Sequence, residues 1–168
     1  MANHPAINAV TDRMVRDVIG GAVDTAKEVV AAMDQVVQDS TAKTTAELFA
    51  EVDQAAYSVL KICPSFAPPI NMLHMVVGSV EADLDAGSSV EEAKKHVSET
   101  KEKVLNSIDT ALDKIADIGA ELINDGDRVF MFSMSSSIWK VLRRAKAQGK
   151  NFTVLVTEAR PANEGLWT

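Results

Sequence analysis

The sequence predicts an α/β chain that is mostly helical, with an N-terminal helical bundle followed by the first strand–helix–strand unit of a parallel sheet. Two observations predict it. Residues 1–124 are rich in Ala, Val, Asp, Glu and Lys and repeat apolar residues at helical spacing. Residues 125–168 instead place two short apolar runs, 128–132 and 152–156, on either side of one helix-patterned segment. That is the crossover unit from which doubly wound, Rossmann-like sheets are built. The composition shift sets the expected domain boundary at 124/125, with residues 89–124 as a connecting helix.

Residues 8–18 form the first predicted helix, interrupted at Gly20-Gly21. The second covers 22–37, with Val23, Ala26, Val30, Met33 and Val37 on one face. Thr44 followed by Glu47 is a capping-box pattern that satisfies free amides at the start of a third helix, which runs to residue 62 and stops at Pro64. Pro68-Pro69 suit the first turn of a fourth helix, because no amide partner is lost there, and Gly87 suits its left-handed end. Ser89 with Glu92 repeats the capping box and opens the longest element, about 50 Å at the helical rise. Its predicted apolar stripe is Val90, Val97, Val104, Ile108, Leu112, Ile115 and Leu122, read as core rather than coiled coil, in a bundle spine or a bridge between domains.

Asn124-Asp125-Gly126 is a turn signal, after which come a strand over 128–132, a helix over 138–145 ending near Gly149, and a strand over 152–156. Two parallel strands with one helix leave open edges and bare apolar surface. The chain therefore reads as truncated within its sheet, or as one that completes the sheet with another chain.

A net charge of −7 argues against direct nucleic-acid binding, which needs an excess of Lys and Arg. Residues 125–168 nevertheless carry seven Lys and Arg against four Asp and Glu, while the whole chain carries 17 against 24, so this part favours a small anion locally. The single Cys63 excludes an internal disulfide, and three scattered histidines give no metal site; no cofactor is implied. With no signal-like N-terminus and no apolar run approaching the ~20 residues of a membrane span, a cytoplasmic setting is expected.

Ligands of such sheets bind outside the carboxyl ends of the strands, where a helix N-terminus offers free amides. Ser133-Met134-Ser135-Ser136-Ser137 occupies that place, either holding a phosphate or only capping the helix. Arg160 follows the second strand and can give a two-pronged contact to phosphate; a surface arginine in a loop is the other reading. Gly20 and Gly21 mark either close backbone approach to a ligand or a helix break. Cys63 reads as a small buried residue, His74 as a core histidine, and Asp83, Asp85, Glu91 and Glu92 as solvated helix ends.

The pattern Lys114-Ile115-Ala116-Asp117, Leu122-Ile123-Asn124-Asp125-Gly126, Ser133-Met134-Ser135, Val141-Leu142, then Phe152-Thr153-Val154-Leu155-Val156-Thr157-Glu158-Ala159-Arg160-Pro161 with Gly165, resembles the alpha, beta and delta regulatory subunits of translation initiation factor 2B. Their superfamily includes methylthioribose 1-phosphate isomerase and ribose 1,5-bisphosphate isomerase. The resemblance implies a helical domain, a long connecting helix, a Rossmann-like domain, dimer formation and a sugar-phosphate or nucleotide pocket. It further implies, for the isomerases, a cysteine after the first strand and an aspartate further along, which share the proton or hydride chemistry of aldose–ketose exchange. Here the cysteine position falls on Ser133, the arginine of an Arg-Gly-Ala motif on Gly20, and that of an Arg-Pro motif on Ala67; the aspartate would lie beyond Thr168.

The expected function is thus a regulatory or binding protein that recognises a phosphorylated sugar or nucleotide and forms homodimers or pairs with a related subunit. An aldose–ketose isomerase acting on a ribose phosphate is the alternative, and a helical interaction module a third reading. The expected site is Ser133, Ser135, Ser136, Ser137, Arg160, Gly20 and Gly21, with Ser133 at the catalytic position.

Overall fold

A computed structural model of the chain describes residues 4–16, 21–161 and 163–167, the side chain of Trp167 excepted. The chain divides into two compact units, Met1–Asn106 and Ser107–Thr168.

The first unit is built from α1 (Pro5–Val15), α2 (Ala22–Asp39), α3 (Thr45–Leu60), α4 (Ala67–Ala86) and the first part of α5 (Val90–Glu121). Helix α1 starts earlier than its apolar pattern suggests. Pro5 sits in its first turn, and His4 caps it by accepting the Ala6 amide on Nδ1 at 3.2 Å. Both predicted capping boxes form. Thr44 Oγ1 accepts the Glu47 amide while Glu47 accepts the Thr44 amide, and Ser89 and Glu92 repeat the exchange. Gly87 ends α4 at φ 69°, in the left-handed region.

Helix α2 lies at the centre, burying Val29, Val30, Met33 and Val37 completely against Leu48, Val52 and Val59 of α3 and Val76 and Val80 of α4. Each such side chain contributes about 1.5–3 kcal/mol. Asp34 is buried on the same helix. It is matched by Lys101 Nζ at 2.7 Å, Ser98 Oγ at 2.8 Å and Gln38 Nε2 at 3.3 Å.

Two polar expectations are overturned in this unit. His74 is exposed, because α4 turns Leu73, Val76 and Val80 inward and position 74 lies a quarter turn away from that stripe. Asp83 is buried rather than solvated, with its Oδ1 2.8 Å from His96 Nδ1 on α5. Cys63 is buried, as expected.

The second unit holds the remainder of α5, β1 (Arg128–Met131), α6 (Ser136–Ala147), β2 (Thr153–Val156) and a 3-10 turn at Glu164–Trp167. The strands pair in parallel, with Phe130 opposite Leu155 and Met131 opposite Val156. Helix α6 and α5 cover one sheet face, where Ala120, Ile123, Met131, Val141, Leu142 and Ala145 form the core. Phe130 and Phe132 point to the other face and are exposed.

The predicted stripe of α5 holds through Leu112 and then fails, since Ile115 and Leu122 are exposed and Ala116, Ala120 and Ile123 are buried instead. Ile115 and Leu122 stay on the side of the helix that carries Val97 and Val104, whereas Ala116, Ala120 and Ile123 lie more than a quarter turn round from it, and that second side is the one buried in the second unit. Gly119 belongs to the new face. A Cβ there would lie 2.6 Å from Val141 Cγ2, so its lack of a side chain is what lets α6 approach.

Among the described residues, no helix is long and apolar enough to cross a membrane.

Candidate functional site at the strand ends

The carboxyl ends of β1 and β2 are tied together by hydrogen bonds. The Thr157 amide donates to Met131 O at 3.1 Å, and the Ser133 amide donates to Thr157 Oγ1 at 3.3 Å. Ser133 adopts φ 61°, uncommon for a residue with a side chain. Ser135 then caps α6, its Oγ accepting the Ile138 amide at 3.4 Å. Ser136 and Ser137 occupy the first turn of α6, where backbone amides have no partner within the helix.

The Ser133 hydroxyl donates to the Glu164 carboxylate. Gly165 fixes that carboxylate in place. A Cβ on Gly165 would stand 1.7 Å from Thr157 O, so the turn lies directly against the end of β2 as only glycine allows. The Gly165 amide donates to Glu158 O at 3.3 Å, and the Asn163 amide to Ala159 O at 2.9 Å. Arg160 does not reach toward the serines. Its Nε donates to Glu158 Oε2 at 2.7 Å on an exposed rim.

The positive excess of residues 125–168 is also partly neutralised by carboxylates of α5. Lys140 pairs with Asp113 at 3.3 Å and Arg144 with Asp117, while Arg143 lies over the Trp139 ring.

The site therefore brings together Ser133, Ser135, Ser136 and Ser137 with a carboxylate that sequence reasoning missed. The only local signal for Glu164 was its neighbour Gly165, and the contact depends on a fold-back across 31 residues. A carboxylate at hydrogen-bonding distance orients the hydroxyl but is far too weak a base to ionise it. The only cysteine, Cys63, lies in the first unit, and burial pushes its thiol pKa up, away from the nucleophilic thiolate. The arrangement is suited to hydrogen-bonding a polyhydroxy ligand. Among the described residues, no group of three or more His, Cys, Asp or Glu is placed to hold a metal ion.

Of the two glycines, Gly20 lies outside the described residues. Gly21 caps α2 in the first unit at φ 89°, its carbonyl accepting the Thr25 amide at 3.0 Å and the Thr25 hydroxyl at 2.7 Å. It borders a cavity of about 410 Å³ beside Cys63.

The family model for the Initiation factor 2 subunit family matches residues 18–168. The chain belongs to that family. Among its relatives is a ribose 1,5-bisphosphate isomerase from Pyrococcus furiosus, 28% identical over 150 residues, which are 89% of this chain and 46% of the isomerase. A putative translation initiation factor eIF-2B subunit 2-like protein from the same organism is 41% identical over 66 residues, 39% of this chain and 24% of that protein. The crystal structure of translation initiation factor eIF-2B from Pyrococcus horikoshii superposes with a TM-score of 0.77 at 26% identity, over 98% of this chain and 54% of that one. The chain thus spans about half the length of the isomerase and of the eIF-2B crystal structure. The strand-end motif lies inside the matched region.

Proposed function

We propose that this member of the initiation factor 2 subunit family is a regulatory or binding protein rather than a catalyst. It recognises a phosphorylated sugar or nucleotide at the carboxyl ends of its strands, which begin a Rossmann-like sheet. The observation that carries this reading is Ser133: it stands where the related isomerases are expected to hold a cysteine, and its hydroxyl is bonded to Glu164. The serines and first-turn amides of α6 provide donors for a phosphate, and Glu164 provides an acceptor for sugar hydroxyls. Dimer formation or pairing with a related subunit is supported by exposed Phe130 and Phe132, which form apolar surface on one sheet face.

Isomerisation of a ribose phosphate is the second reading, favoured by the match to ribose 1,5-bisphosphate isomerase over most of this chain. Thermal-shift titration with ribose 5-phosphate, ribose 1,5-bisphosphate and AMP, followed by a turnover assay, separates the two. Stabilisation without turnover is expected, since a ligand that binds only the folded state raises the melting temperature. Turnover that disappears in Ser133→Ala would overturn the regulatory reading.

A further inference from the structure

We propose that the exposed side of α5 in the second unit binds a second copy of this chain, as a two-fold antiparallel helix pair. The proposal rests on the dimer reading above and gives that dimer a surface separate from the face of Phe130 and Phe132. Within this unit α5 carries Ala111, Ile115, Ile118 and Leu122, spaced four, three and four residues apart. That is the spacing of the seam of a helix pair. All four are exposed, Ile118 at 65% and Leu122 at 76%. The core of the unit does not use this side, because Ala116, Ala120 and Ile123 lie more than a quarter turn round the helix. A contiguous apolar stripe left in water marks an interaction surface.

Charge selects the occupant. Lys114 and Glu121 flank the stripe on the side away from α6, one heptad apart and both exposed. Among the described residues neither has an ion-pair partner, whereas Asp113 and Asp117, nearer α6, are taken by Lys140 and Arg144. When two copies of α5 run antiparallel about a two-fold axis, Ile115 of each meets Ile118 of the other, and the small Ala111 meets the large Leu122. The same arrangement sets Lys114 of each copy beside Glu121 of the other. The stripe is thus complementary to itself in shape and in charge. A parallel pair would instead turn Lys114 and Glu121 toward the opposite flank, which is Leu112 and Gly119 and holds no charge to answer them. The charges therefore fix the direction of pairing, while the apolar side chains supply the attraction.

Analytical ultracentrifugation of the full chain over a range of concentrations tests the seam, at low ionic strength because salt screens exposed charges. The wild-type chain is expected to dimerise reversibly. Ile118→Glu changes an exposed position to a good helix former, and it is expected to be monomeric with unchanged far-ultraviolet ellipticity. Lys114→Glu and Glu121→Lys should each weaken the dimer about tenfold, since each sets like charges opposite one another at two symmetry-related places. The double reversal should return the dissociation constant to within about twofold of wild type. A dimer that survives Ile118→Glu overturns the seam and leaves homodimerisation to another surface, so the dimer reading stands without it. A double reversal that binds no tighter than either single change also overturns the proposal. A wild-type chain that stays monomeric at every concentration overturns the seam and the homodimer together.

Discussion

The Ser133 hydroxyl and the Glu164 carboxylate are hydrogen-bonded across the ends of the two strands, so a phosphate approaching Ser133 meets a negative charge. Neutralising that charge without changing its shape tests the strand-end site. Glu164→Gln is expected to bind ribose 5-phosphate about tenfold tighter, roughly 1.4 kcal/mol, in isothermal titration. Affinity that does not change in Glu164→Gln would remove the carboxylate from the ligand site.

Gly165 and Gly78 should respond in opposite directions to alanine. Gly165→Ala drives a methyl into Thr157 O and should disrupt the turn that carries Glu164, lowering the melting temperature and weakening ligand binding together. Gly78 lies within α4 with nothing within 4 Å of its would-be Cβ, so Gly78→Ala should stabilise by about 1 kcal/mol through helix propensity. Urea unfolding of both variants checks the contrast.

Gly119 is helical too, yet alanine there should destabilise by about 1–3 kcal/mol because the added methyl meets Val141. Pairing it with Val141→Ala should cost less than the sum of the two single changes, since both act on one contact. Simple additivity in a double-mutant cycle would refute that contact.

These glycines show where sequence reading succeeds and where it stops. Caps are local. Thr44 with Glu47, Ser89 with Glu92, and Gly87 were legible because their partners lie within one helical turn. The burial of Ala116 and Ala120 in place of Ile115 and Leu122 was not, because it depends on which neighbour α5 meets at its far end. Exposed His74 and buried Asp83 follow the same rule: each was read from its neighbours in sequence, whereas His74 lies off the side of α4 that is covered and Asp83 meets His96 on α5. The strand-end serines were legible as a motif, whereas the Glu164 contact required the chain to fold back on itself.

Lys101→Met should cost about 3–5 kcal/mol, because it leaves Asp34 buried with its charge unmatched. Combining it with Asp34→Leu should recover much of that loss. Chemical denaturation midpoints of the single and double variants provide the measurement.

Glu92 introduces a dependence on pH. The Ser89 hydroxyl, and then the Ser89 amide, hold its carboxyl below the ordinary value of 4.5. A depressed folded-state value stabilises above the unfolded value and loses that stabilisation as pH falls through the folded one. The wild-type chain should therefore be more stable than Glu92→Gln at pH 7, and the two should converge below pH 4.5 in denaturant titrations.

The hydrophobic core is divided unequally, and the division gives the protein its own optical reporter. Among the described residues, the core cluster of the second unit holds six buried side chains, while that of the first is much larger and drawn from five helices and Cys63. Both tryptophans of the chain, Trp139 and Trp167, fall in the smaller unit, and Trp139 packs against its core. Indole emission thus follows the weaker unit alone, while far-ultraviolet ellipticity is dominated by the helices of the stronger one. On heating, the fluorescence transition should come first, and a single melting temperature will not describe the chain.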